Sequence, residues 1–513
     1  MKSATLAIGA AILATFAVLP AHAQKSKDTF RVALHQPIRQ VDTFYNPNPE
    51  SNLMDRAVMD TLLSFDVSAR ALRPQLAESW RMIDGRTVEL KLHRNVKFHN
   101  GAPFDADDVI YTYSFATDPK STFLFRDSRF GHVESFEKLD QYTVRVRAKS
   151  ARAPFLTRLV QAPPILPSKV HAKLENKAEF GRSPVGTGPY RVASLDNNMV
   201  VMTKNADYNW GGGEPAGKIG RLEIASIADS QTQIAKLMTG ELDLVFDLDL
   251  EQANSLRALP NIKISVTPTV SFTYIYLDAA DRSGIKIFKD KRLREAVLMA
   301  IDRDAIRKAF LPTDFAAKSV QDAMCHPLNI GCAWSEKAVG YDPAQAKKLL
   351  AEAGYADGFD LEILTWGQSR PVAVAIAGDL RKIGIRATVD AVTVNVFQSK
   401  RGDGKAQSMV TSWDNGDGQP DVNTTTDFFF ADSNRNYSGD ADLISWTEEG
   451  VAELDLKKRE DIYRKLFDKI IRERYGVPVM ELPAILAHDK DLLIDANHSK
   501  AQGFMLNRIA WNR

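Results

Sequence analysis

Hydrophobic and polar positions alternate through WRMIDGRTVELKLHRNVKFH, residues 80–99, around a break at Asp84-Gly85. Strand side chains point to opposite faces with a period of two, so the segment predicts two strands joined by a tight turn. LDQYTVRVRA, residues 139–148, repeats the D-x-x-T-V alternation and predicts more strand, as a local likeness rather than a repeat architecture. Between them the period lengthens. In NGAPFDADDVIYTYSFA, residues 100–116, Asp105 is placed to cap a helix whose apolar face carries Val109, Ile110 and Tyr113. The proline-rich QAPPILPSK, residues 161–169, then reads as a connection.

The second half of the chain has another rhythm. YDPAQAKKLLAEAGY, residues 341–355, offers Asp342 as N-cap, Pro343 as first helical residue and Gly354 just past the end. After it come FDLEILTW, PVAVAIAGDLRKIG, IRATVDAV, VNVFQSKRG and AQSMVTSW, which alternate strand, helix, strand, helix, strand. A β-α-β-α-β order predicts parallel neighbouring strands, and ligands of open α/β sheets bind beyond the carboxyl ends of such strands. Trp366 and Trp413 stand at two of those ends. The loop leaving the third strand lies within TSWDNGDGQPDVNTTTD, residues 411–427, and crowds four aspartates beside Trp413. Asp, Asn, Gly and Pro also dominate ordinary turns, so two readings stand: ligand contact or plain turn. A calcium loop is excluded, because the third and fifth positions from Asp414 are glycine and no glutamate stands at the twelfth.

The amino terminus changes the compartment. Lys2 precedes the apolar ATLAIGAAILATFAVLP and an Ala21-His22-Ala23 cleavage signal. That run is too short to span a bilayer and predicts a signal peptide over residues 1–23, cleaved after Ala23. No cysteine lies nearby to carry a lipid anchor, so the expected location is the periplasm. The remaining length exceeds what one core serves and predicts two or three domains. Charge is balanced, 66 basic against 65 acidic residues, which gives no ground for a nucleic-acid partner or an anionic membrane surface. The only two cysteines, Cys325 and Cys332, lie in CHPLNIGC. In an oxidising compartment they read as a local disulfide. A metal site with His326 is the rival reading and is a ligand short.

Other motifs are weak. GGGEPAGKIG places Gly212, Gly217 and Lys218 at phosphate-loop spacing, but Ile219 replaces the hydroxyl that must reach magnesium and Pro215 removes a donor. VGTGPY lacks the third glycine of a dinucleotide fingerprint. There is no HExxH helix and no GxSxG elbow, and the SxxK match at Ser283 lacks its partner motifs. Nothing in the sequence indicates a catalytic residue, a metal or a cofactor.

Several segments together resemble the family 5 extracellular solute-binding proteins. They are PQLAESW (74–80), FHNGAPFDADDV (98–109), VGTGPY (185–190), NADY (205–208), LMTGELD (237–243), LREAVLMAID (293–302) and YDPAQAKKLL (341–350). The resemblance covers nearly the whole mature chain in the family's order. It implies an α/β, two-lobed periplasmic binding protein fold (type II-like, cluster C) with an extra inserted domain. The implied boundaries are 24–66, 185–276 and 485–513 for lobe I, 67–184 for the insert and 277–484 for lobe III. It also implies a monomeric receptor that captures a small molecule, peptide-like or amino-acid-derived, and closes on it. Delivery is to the inner-membrane permease subunits of an ATP-driven (ABC) importer. In peptide-binding members an aspartate three residues after the tryptophan meets the peptide amine. Here Gly416 occupies that register, with Asp414 and Asp417 on either side. The implied ligand-binding set is Tyr45, Asn46, Tyr274, Tyr276, Trp366, Trp413, Asp414, Asn415 and Asp417. The alternative function, a periplasmic hydrolase of peptides or conjugates, would need an activated nucleophile.

Overall fold

The computed structural model describes residues 28–45, 49–66, 69–121, 130–160, 164–196, 198–208, 210, 212–316, 321–415, 420–495 and 504–512. The expected signal peptide, Asn46 and Asp417 lie outside them.

Two sheets organise the chain. The first runs, in spatial order, Ile262–Thr267, Ala484–Asp489, Leu244–Val245, Thr29–Leu34, Arg221–Ser226, Met199–Lys204 and Tyr190–Leu195. Thr29–Leu34 pairs in parallel with both of its neighbours, and the other pairings are antiparallel. The second sheet runs Arg386–Val392, Asp360–Trp366, Ser408–Trp413, Phe272–Leu277 and Gly476–Glu481. The parallel neighbours expected from the β-α-β-α-β order are present: Asp360–Trp366 pairs in parallel with both Arg386–Val392 and Ser408–Trp413. Helices Arg370–Lys382 and Val394–Gly402 make the crossovers.

A four-stranded antiparallel sheet forms the inserted part, in the order Ala77–Asp84, Thr87–Leu92, Thr143–Ala148 and Val133–Asp140. The predicted hairpin around Asp84-Gly85 is there, and the strand expected within 139–148 pairs with Val133–Asp140 in a second one. Asp105 caps helix Ala106–Thr117 in a reciprocal capping box with Asp108. The insert does not keep a separate interior: Val88, Val144 and Tyr113 join Phe30 and Val32 of the first sheet in one apolar cluster.

Strand Phe272–Leu277 is buried along its whole length, as a central strand covered on both faces must be. Its alternation divides two cores. Ile275 and Leu277 pack with helices Lys291–Met299 and Arg370–Lys382, while Phe272, Tyr274 and Tyr276 face an aromatic core with Phe429 and Tyr437. Cys325 and Cys332 are bonded to each other at the edge of that second core, Cα atoms 5.9 Å apart.

The chain passes between the two large sheets at 268–271 and again at 482–483. These crossings are tied together: Thr269 Oγ1 donates to the Leu482 carbonyl at 2.5 Å, and Leu482 N–H donates to the Ser271 carbonyl at 2.9 Å. Tyr274 and Tyr276, which a boundary at 276 would leave with lobe I, therefore stand in the second sheet. The largely apolar run FTYIYL, buried at every position, hides the crossing just before it.

Candidate functional site

A cavity of about 640 Å³ lies between the sheets, within the ~300–1,000 Å³ range of small-molecule sites. Its floor is the pair of crossings, through Thr269, Ser271, Leu482 and Pro483. One wall comes from the second sheet and the loops at its carboxyl ends. The opposite wall brings Asp247 and Leu248 from the first lobe.

On the second wall, residues 409, 411 and 413 share a strand face, so Thr411 and Trp413 both turn toward the space. Trp413 is largely buried. Its indole N–H donates to Thr425 Oγ1 at 2.8 Å, and its ring packs on Phe428 with centroids 4.4 Å apart. Phe428 carries two guanidinium groups, Arg401 at 4.5 Å and Arg435 at 4.7 Å from the ring centroid. Arg401 closes helix Val394–Gly402 and also reaches over Phe397. It is 7% exposed, and it donates from Nη2 to Gln398 Oε1. Among the described residues its Nε has no hydrogen-bond partner, and neither does the buried hydroxyl of Thr411. Burial lowers the pKa of Arg401; the Tyr274 side chain opposes that shift and neighbouring Arg435 adds to it. A guanidinium stays ionised nonetheless.

The first wall contributes charge of the other sign. Asp247 sits between strand Leu244–Val245 and Asp249, the N-cap of helix Leu250–Leu256, with a left-handed backbone of φ +55°. A residue with a side chain adopts that conformation at a cost. Its carboxyl is open to the cleft yet crowded by protein atoms, so desolvation raises its pKa, with His35 acting the other way.

Of the expected ligand residues, Tyr274, Trp366, Trp413 and Asp414 are brought together on this cavity. Tyr276 is not. It shares the Tyr274 face but lies fully buried behind it, edge-on to Phe429 and Phe430. Asn415 is also fully buried: it accepts from Thr425 Oγ1 at 2.6 Å and donates to the Asp421 carbonyl at 3.2 Å, bracing the loop. Tyr45 is half-buried against the core of the first lobe, away from the cavity lining.

Asp421, at the far end of the loop, forms a buried two-pronged pair with Arg459, at 2.6 and 2.8 Å. Burial alone would lower the arginine's pKa; the carboxylate more than reverses that and holds it above its ordinary value. The sequence reading missed Arg401 and Asp247. An arginine in a last helical turn reads as an ordinary partner for the helix dipole, and Asp247 disappears beside the stronger cap signal of Asp249. Among the described residues, no group of three His, Cys, Asp or Glu could hold a metal ion.

Comparison with known proteins adds a lineage. Residues 71–436 match the family model for bacterial extracellular solute-binding proteins, family 5 Middle. The glutathione-binding protein GsiB of Shigella boydii serotype 4 is 27% identical over 509 residues, covering 96% of this chain and 95% of its own. A putative peptide binding protein, AppA from Clostridium difficile, superposes with a TM-score of 0.81 at 23% identity, over 94% of this chain and 100% of that one. The periplasmic binding protein DppA from Helicobacter pylori, in complex with the peptide STSA, gives 0.72 at 23% identity, over 94% and 98%. At such identities the structural likeness speaks for the fold, which is the α/β, two-lobed one expected from the sequence.

Proposed function

The chain belongs to the family 5 bacterial extracellular solute-binding proteins, and from that premise we propose that its interlobe cavity captures a small peptide or amino-acid-derived solute for import. The observation that carries this reading is the cavity itself, walled by both lobes and floored by the two chain crossings. Only a ligand that touches both walls gains from bringing them together, so binding favours the closed state. The proposed contacts are Tyr274, Trp366, Trp413 and Asp414, with Asp417 from the same loop. Tyr276 and Asn415 act behind them, holding the aromatic wall and the turn in place.

The remaining parts of the reading are these. Residues 1–23 direct export and are removed after Ala23, leaving an unlipidated periplasmic monomer that presents its closed form to permease subunits. Among the described residues no helix is long and apolar enough to cross a membrane. Lobe I comprises 24–66, 185 to the first crossing, and the return after the second crossing; the insert spans 67–184. The chain works as a receptor without turnover. The hydrolase alternative gains no support from the relatives, which are binding proteins by name.

The test is a thermal-shift screen of the mature chain with glutathione, di- and tripeptides, opines, neutral sugars and nickel–histidine. A solute at a hundred times its dissociation constant adds about 2.7 kcal/mol to stability. At least one compound should give a saturable shift and be recovered unchanged. A flat screen, or consumption of the stabilising compound, overturns the proposal.

A further inference from the structure

Four arginines are more than nine-tenths buried among the described residues: Arg294, Arg307, Arg401 and Arg459. Three of them meet carboxylates, namely those of Glu473, Asp304 and Asp421. Arg401 meets none. Its guanidinium rests on Phe428 and Phe397, takes one neutral acceptor from Gln398, and leaves Nε unpartnered on the cavity wall. The Thr411 hydroxyl, on the same wall, is also unpartnered. Buried polar groups in folded proteins are nearly always satisfied; both residues line this cavity, so an acceptor brought into it would answer a guanidinium that meets no carboxylate. Arg435, on the same phenyl ring, adds a second positive charge. Across the cleft stands Asp247, whose carboxyl opens onto the same space from a strained backbone.

We propose that Arg401, supported by the Thr411 hydroxyl, is the anchor for a ligand carboxylate, and that Asp247 is the anchor for a ligand ammonium. The cleft thereby selects zwitterionic solutes, such as amino-acid derivatives and short peptides with free ends. The inference rests on the receptor reading above and narrows its ligand class. The two anchors belong to different lobes, so a zwitterion satisfies both only by bridging them. A neutral solute of the same shape leaves both charges unpaired as the cleft closes, which makes them devices of rejection as well as attraction.

The experiment is calorimetric titration of the mature chain with glutathione, alanyl-alanine, alanyl-alanine amide and N-acetyl-alanyl-alanine, repeated on Arg401→Met and Asp247→Asn. In the wild type, amidation and acetylation should each weaken binding about ten- to a hundredfold, the span of a charge-assisted hydrogen bond. In Arg401→Met the free acid and the amide should bind alike; in Asp247→Asn the free amine and the acetylated form should bind alike. A residue with a merely structural role would weaken all the compounds together and keep those ratios. The inference is overturned if the amide binds the wild type as tightly as the acid, or if the ratios survive in the variants. It also falls if only neutral sugars or nickel–histidine stabilise the protein, an outcome that leaves the receptor reading intact. A flat response to every compound of the earlier screen removes the receptor reading itself.

Discussion

Arg459 and Arg401 belong to the same lobe, lie at similar depth and have opposite surroundings. Behind the loop that follows Trp413, Arg459 grips Asp421 through both prongs and gives its Nε to the Gly450 carbonyl at 2.9 Å. At the front, Arg401 has aromatic faces, one amide and a cavity. The rear charge is closed within the fold, where it fixes a loop end. The front charge is left open, and the cost of holding it dry is recovered only when something else enters. Burial alone therefore does not separate a structural arginine from a recognising one; the partner does.

The contrast is broken most forcefully at the rear. Asp421→Asn leaves Arg459 buried beside a neutral amide and should cost about 3–5 kcal/mol in urea unfolding. A loss below about 1 kcal/mol would mean that the pair is no more structural than its counterpart at the front.

Acid introduces a charge at the rear by another route. His326, 5% exposed and next to the disulfide, is pushed down to about 4 by burial. Its folded pKa lies below the ordinary 6.5, so the unfolded chain binds more protons between those values, and stability falls as pH drops from about 6.5 to 4. The full effect is up to about 3 kcal/mol. Asp60 and Glu481, both pushed up to about 6 by burial, act in the opposite sense: each loses stability as pH rises toward 6. The measurement is accordingly the difference in pH–stability slope between wild type and His326→Asn, and equal slopes would refute the assignment.

The smallest effect on stability is predicted at the front. Arg401→Met removes an unpaired charge and keeps the stem's apolar packing, so the melting point should hold or rise, within about 1 kcal/mol. A loss comparable to that of Asp421→Asn would abolish the distinction between the two arginines.

Legibility in the sequence follows the same division. Helix Pro343–Glu352, whose N-cap Asp342 accepts from Gln345 N–H through its side chain, carries its signals within a few residues, and so do the β-α-β-α-β segment and the Asp84-Gly85 hairpin. Trp366 and Trp413 line the cavity as strand polarity leads one to expect, since polarity dictates where a cleft opens. Tyr276, expected at the ligand from its place in the domain-crossing strand, is on the Tyr274 face, and depth along that face depends on Phe429 and Phe430, distant in sequence. Arg401 was invisible for a similar reason. What distinguishes it is a carboxylate that is not there, and no local pattern encodes the lack of a partner.

The two crossings also set a timetable for assembly. Everything from Phe272 to Glu481 can pair within itself, because the second sheet uses only strands from that continuous stretch. The first sheet has no such independence. Strand Ala484–Asp489 lies inside it, between Ile262–Thr267 and Leu244–Val245, while Thr29–Leu34 is near the opposite end of the chain. A chain emerging from its amino terminus can complete the later lobe before the earlier one. Until its last strands arrive, the first sheet is divided, with two open edges where the closing strand belongs. Such long-range pairing is slow to form, so a chain truncated before residue 484 should keep one finished lobe and one that cannot be finished at all.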